Sequence, residues 1–502
     1  MASNIRFLNT QVTDEGSVSY SYTDFPLKLL SKDLFYLMVY SWSIPLVIVP
    51  CWPMKANPFD EMYPEAGNMF CLAMHALLTV LQLAFLLSLS LTIFFPMWMI
   101  AAGSAGFFVV NWVLSTLLNG SKTVSWSDPK LTPHECQFEH EEWVYLNGVS
   151  IGDHWRQRNL DRLALTFGRP VRGLHNRTLG IPFDLIECMI QRNFNYATRN
   201  IRRCYKEMRD LLYDPKKTKV IFILHSQGGI EGGIVIDWLL QEVPQDLLSK
   251  LEVYTFGNAA NHFNNPQRNA PCQHPDTAES EKEIDEFEAE TDEVAINGNG
   301  SVSGKMGPLP RLFQAIMEAL SLSGKASRKR KRVQPPKARA PATPYVGAIK
   351  HIEHYAHAGD FVAKWGVLHF VNKQQKSGNL PRFMGRVITR TTGSGGHLLN
   401  QHYLDSMFPL EKDSETGRLR AKEKKNAFME EKIAVDDDKT VHRRQKLKHT
   451  LRSTEYKKNG YVIQLDAHQG KKLDKKKARV KDVSRLWKYI NGKSPAPEPV
   501  HH

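Results

Sequence analysis

The chain has 502 residues, of which 42% are hydrophobic and 24% charged, and it carries a formal net charge of +14. That length accommodates two to three domains, and the averages are those of a globular protein rather than a fibrous or wholly disordered one. The excess positive charge sits beyond residue 410 and in a cluster near residue 330, so it describes those segments and argues for no nucleic-acid partner.

Residues 1–33 read as a polar N-terminal tail, with no basic region and short apolar core of the kind that marks a cleaved signal. Residues 34–120 read as a membrane region of two to three hydrophobic helices. Leu34 to Trp52 is uncharged but interrupted by Pro45 and Pro50, which leaves it as a span or as a re-entrant or interfacial segment. No Asp, Glu, Lys or Arg occurs between Glu65 and Lys122. Within that stretch Phe70 to Phe94 and Met97 to Leu118 are each long enough to cross ~30 Å of hydrocarbon, with Pro96 at the turn.

From residue 135 the composition becomes that of a soluble α/β domain, whose first part runs to 272. Glu142 to Gly148 predicts a strand ending in a glycine loop, Val171 to His175 a short strand, and Tyr196 to Tyr213 an amphipathic helix. Lys219 to His225 is a continuous β-branched and aromatic run, as expected of a strand buried on both faces of a parallel sheet. A helix from Ile230 to Val243 and a strand from Leu251 to Gly257 follow. Residues 273–344 are acidic, then Gly/Ser-rich, then basic and Pro-rich, and predict a disordered insertion. The domain resumes over 345–410, with strands at Ile349 to Tyr355 and Phe383 to Thr389, giving about 200 residues in its two parts. Residues 411–502 read as a basic C-terminal tail. Six cysteines without a CxxC pair favour reduced thiols over disulfides or zinc. Alternating strands and helices imply a parallel sheet with flanking helices.

The chemistry-bearing stretch is Leu224-His225-Ser226-Gln227-Gly228-Gly229. A Ser between a buried strand and a helix, followed by glycines, has the pattern of a nucleophile elbow. The usual first glycine is replaced by Leu224, whose bulk must be absorbed by a small neighbour. Downstream, Asp360 follows a strand and His397 follows a Gly-rich loop, giving the order Ser, Asp, His. His402 is the rival base, five residues further on. The oxyanion donors expected are the backbone N–H of Gln227 and the loop after the first strand, at Gly148 and Val149. His351, His354 and His357 recur every third residue, which on a strand puts neighbours on opposite faces, so no metal site is expected. Neither GxGxxG nor a P-loop occurs, and no cofactor is expected.

With Trp143 to Gly148, Tyr254 to Phe263 and Gly395 to Tyr403, the Ser226 stretch resembles a fungal family of membrane-anchored, lipase-like α/β-hydrolases. Thr255-Phe256-Gly257 is similar to a segment of class 3 lipases. The resemblance spans about residues 34–272 and 345–410. It implies an α/β-hydrolase-like sheet behind an N-terminal transmembrane segment, with Ser226 as nucleophile and Asp360 and His397 as its partners. It implies no substrate; the chain as a whole reads as an integral-membrane serine hydrolase acting on a lipid or acyl-ester substrate, at an endomembrane such as the endoplasmic reticulum with the catalytic domain facing the cytosol. The alternatives are an inactive membrane scaffold of the same fold and a thioesterase acting on acylated protein.

Overall fold

Lys219–His225 (β5) is an inner strand of a mostly parallel sheet, and its side chains alternate between two separate cores. Val220, Phe222 and Leu224 enter one core, while Ile221 and Ile223 enter the other. That is why the run shows no polar alternation: both faces are covered by helices. The computed structural model describes residues 4–9, 25–49, 51, 57–132, 135–266, 347–371, 383–391, 396–415, 417–435 and 478–495.

The other strands are Ile5–Asn9 (β1), Val124–Trp126 (β2), Glu141–Leu146 (β3), Val171–Leu174 (β4), Leu251–Phe256 (β6), His351–His357 (β7) and Arg386–Arg390 (β8). Leu410–Lys412 (β9) and Leu419–Ala421 (β10) form a separate hairpin, and Ile433–Val435 (β11) is the last strand among the described residues. Among the described residues the large sheet has nine strands in the order β11-β1-β8-β7-β6-β5-β3-β4-β2. The six from β4 to β8 run parallel, while β2 is antiparallel to β4 and β1 antiparallel to β8. The chain passes from β3 outward to β4 and then back across to β5. The strand order therefore reverses between β3 and β5, and open α/β sheets bind ligands beyond the carboxyl ends of the strands at such a point.

Helices pack on both faces. Arg199–Tyr213 (α6) and Gly228–Glu242 (α7) cover one with Ile201, Met208, Ile234 and Leu239. Asp153–Phe167 (α4) covers the other with Leu160, Leu163 and Phe167. Ile181–Phe194 (α5) was not foreseen, although Pro182 and Asp184 in its first turn are start signals.

Two expectations about the ends of the chain are corrected. The N-terminal tail contains β1, an inserted strand of the sheet, and the C-terminal tail returns to the fold. Val480, Val483, Leu486 and Tyr489 are buried in the same core as Leu160 and Phe167 of α4, and Arg485 pairs with Glu252 at 2.9 Å. Their spacing is hidden in a Lys-rich composition. The insertion at 273–344 lies outside the described residues.

Two helices near the N-terminus are long and apolar enough to cross a membrane. They are Ala66–Ser88 (α2), which continues as a tighter helix to Phe94, and Met97–Asn119 (α3). The earlier apolar stretch is different. Pro26–Tyr40 (α1) and the 3-10 turn Ser41–Val47 pack on the α/β domain, with Asp33 paired to Arg192 at 3.0 Å. β1 precedes this whole region and pairs with β8 after it, so strands on both sides of the apolar helices in the chain belong to one sheet.

Candidate active site

Ser226 occupies the sharp turn between β5 and α7 with φ of +58°, a left-handed conformation that costs a non-glycine residue on the order of 1–3 kcal/mol. The turn holds because its backbone is satisfied. The Ser226 N–H donates to Phe256 at 3.0 Å, and its carbonyl accepts from Gly229 at 2.9 Å and Ala259 at 3.2 Å. Gly148 closes against it from β3: a Cβ there would overlap that of Ser226 and lie 2.9 Å from the His225 carbonyl oxygen. The bulk of Leu224 is absorbed by Gly232, one turn into α7, where a Cβ would overlap Leu224 Cδ1. The small neighbour that the sequence demanded lies on the helix.

Asp360 and His397 meet beyond the ends of β7 and β8. The His397 Nδ1–H donates to Asp360 Oδ2 at 2.8 Å. Tyr403 donates to the same oxygen at 2.7 Å, and the Val362 N–H donates to Oδ1 at 2.8 Å. Burial would raise the Asp360 carboxyl, but the charge and hydrogen bond of His397 and the Tyr403 hydroxyl outweigh it and hold the group below its ordinary value. With its Nδ1 proton turned to the carboxylate, His397 leaves Nε2 as the proton acceptor. That Nε2 is buried and has no hydrogen-bond partner among the described residues, so its bond to Ser226 is not made. Gly257 (φ +53°) makes the room: a Cβ there would lie 2.8 Å from His397 Nδ1 and 2.9 Å from Asp360 Oδ2.

His397 is also fixed from the Ser side. The His225 ring stacks on it with centroids 4.7 Å apart, and His225 Nε2 donates to the His397 carbonyl at 2.8 Å. Burial, then the neighbouring His397, lowers His225 to about 3, so it stays neutral. The His397 N–H donates to the Val47 carbonyl at 2.9 Å, which places the turn after α1 against the site. Glu61, just before α2, accepts from the N–H groups of Asn400 and Gln401 at 3.0 and 3.1 Å. His402, by contrast, accepts from the Leu398 N–H at 3.0 Å and makes no bond to Asp360. Of the strand histidines, His354 bonds Thr255 at 2.8 Å and His357 stacks on Tyr403.

A chain of buried amides links the two segments expected to supply oxyanion donors. Gln227 caps α7, so its backbone N–H has no helical partner one turn back. Its side chain accepts from Asn176 at 2.8 Å and donates to Gln191 at 3.0 Å. Asn176 in turn exchanges hydrogen bonds with Asn147, which donates to the Gly148 carbonyl at 3.0 Å. Val149 is half-buried behind them, and the Ser150 N–H is held by Asp184 at 3.0 Å. At the other end Gln191 donates to Glu231 at 2.9 Å. Sequence reasoning missed this network and Tyr403, because polarity alone does not reveal a partner.

Burial, then the charges of Glu187 and Asp184, raises Glu231 to about 8. Between its ordinary range and pH 8 the unfolded chain releases a proton that the native state keeps, so stability falls as pH rises. Glu231→Gln preserves the oxygen that accepts from Gln191. It is expected to stabilise the fold by on the order of 2 kcal/mol at pH 8 and little at pH 5, read by thermal unfolding at both values.

The sequence matches no protein-family model, and no curated protein is significantly similar to it.

Proposed function

We propose that this chain is a membrane-anchored serine hydrolase with an α/β-hydrolase type of fold, cleaving a carboxylic ester of a lipid or other amphiphile. The observation that carries this reading is the strained Ser226 turn at the reversal point of a parallel sheet, beside a buried Asp360–His397 pair. Chain order, placement at strand ends and the donors around Gln227 and Gly148 support it together. In the proposed reaction His397 Nε2 takes the Ser226 proton as Oγ attacks the ester carbonyl. The N–H groups of Gln227 and of Gly148 or Val149 receive the developing oxyanion, and the imidazolium then protonates the departing alcohol. Water, activated by the same imidazole, releases the acyl group. No step calls for a metal or cofactor.

The surroundings support this substrate class. Trp42, Ile44 and Ile48 are exposed on the turn that lies against His397, so an apolar surface borders the site. A cytosolic face of an endomembrane suits the basic segments and the free thiols of Cys188 and Cys204. A fluorophosphonate probe tests the enzyme reading: the detergent-solubilised chain is expected to take up one label, mapped to Ser226 by peptide mass spectrometry. Folded protein that takes up none would return the inactive scaffold.

A further inference from the structure

We infer that the α2–α3 hairpin does not cross a bilayer but dips into a single phospholipid leaflet, with its turn held in hydrocarbon. Three independent features of the hairpin lead there.

The first is the turn itself. Ile93, Phe94, Phe95, Met97 and Trp98 are between 50% and 82% exposed, and no charged residue occurs from Ala66 to Ser121. A hairpin that spanned would present these side chains to water on the far side, at about 1.5–3 kcal/mol for each. Within acyl chains that cost vanishes.

The second is hydrogen bonding. The few polar side chains near the tip bond the backbone of their own helix: Ser88, Ser90 and Thr92 donate to the carbonyls of Phe85, Leu87 and Leu89 at 2.7, 2.8 and 2.7 Å. The Phe95 N–H donates to Thr92 at 3.1 Å, and Pro96 has no N–H to satisfy. Internal satisfaction of this kind is required where water is absent and optional where it is present.

The third is reach. Gln82 donates to Asn111 at 2.7 Å and to the Leu179 carbonyl at 2.5 Å, and Asn119 donates to the Thr178 carbonyl at 2.7 Å. These buried amides staple the lower half of the hairpin to the loop before α5. Beyond them only Leu83–Phe94 and Met97–Val110 project, about 20 Å of helix. Hydrocarbon of ~30 Å is out of reach unless the folded domain sinks with it. α1 and α2 both pack against α5, and the exposed Phe35, Met38 and Trp42 of the α1 segment fit the headgroup boundary.

The occupant is therefore one leaflet, and the test uses a surface that has only one. Full-length protein is offered phosphatidylcholine vesicles and triolein droplets coated with a phosphatidylcholine monolayer. It is expected to bind both, and Phe94→Glu with Phe95→Glu to lose at least tenfold of either. Binding to vesicles with exclusion from droplets would overturn the inference, as would binding to neither. In sealed vesicles, Phe95→Cys is expected to resist impermeant maleimide from both sides, mapped at position 95. Modification by reagent trapped in the lumen would mean a spanning hairpin. Neither readout depends on Ser226 chemistry, so the anchor and the enzyme fail separately.

Discussion

Asp360→Asn is expected to lower ester turnover by about four orders of magnitude, with the substrate KM and the thermal midpoint close to those of the parent. Asp360 Oδ2 receives two donors, His397 Nδ1–H and the Tyr403 hydroxyl, while Oδ1 caps the short helix Phe361–Trp365 through Val362. Asn can keep the cap only by turning its amide nitrogen toward His397 and Tyr403. Donor then faces donor, and the imidazole is relieved by moving its proton from Nδ1 to Nε2. An Nε2–H cannot accept the Ser226 proton, so the proposed nucleophile goes unactivated although nothing has moved far. The opposite rotamer spares the tautomer but sets the amide against the Val362 N–H, at a cost of about 1 kcal/mol.

The pH dependence of the parent has a definite sign. Asp360 is held below its ordinary value, so its contribution to stability is present above the ordinary carboxylate range and lost as pH falls through its lowered one. His402→Asn serves as the control, with turnover expected within about tenfold of the parent, since the His402 ring is engaged with the Leu398 N–H and makes no hydrogen bond to Asp360 or Ser226. A folded Asp360→Asn protein with unchanged turnover would remove His397 from the reaction.

The sequence was most legible where one constraint dominated. β5 could be read because a strand buried on both faces has few compositions open to it, and the Ser226 turn because glycines must follow it. Asp360 and His397 were found from strand ends and chain order, which the fold brings together at 2.8 Å. What escaped was set by long-range pairing. β1 is five residues in a polar tail, and its partners Arg386–Arg390 lie more than 370 residues away, so no local pattern marks it. Tyr489 and Arg485 sit in a segment whose Lys-rich composition masks its inward face, although both meet Glu252 at 2.9 Å. The Gln191–Gln227–Asn176 chain was illegible for another reason: burial of amides is a tertiary fact, and each residue alone looks like a surface position.

The glycine that the usual elbow has at position 224 would be harmful here. Leu224→Gly is expected to destabilise the fold by about 4–5 kcal/mol, because a buried Leu is emptied and a flexible residue enters a central strand. In the common pattern the strand gives up its side chain so that the helix can approach. In this chain the helix gives up its own: Gly228 passes against the Leu146 carbonyl, Gly229 against the Asn258 side chain, and Gly232 against Leu224, whose Cδ2 would lie 2.7 Å from an added Cβ. The space is the same, but it is filled from the opposite side. Gly232→Ala alone therefore overpacks, and Leu224→Ala alone leaves a void. The double variant lets the added methyl occupy part of that void, so its loss should fall short of the sum of the two by about 1 kcal/mol. Chemical denaturation of the four proteins measures that coupling. Strict additivity would mean that Leu224 and Gly232 do not share the space, and the substitution at 224 would again stand as damage to the turn that carries Ser226.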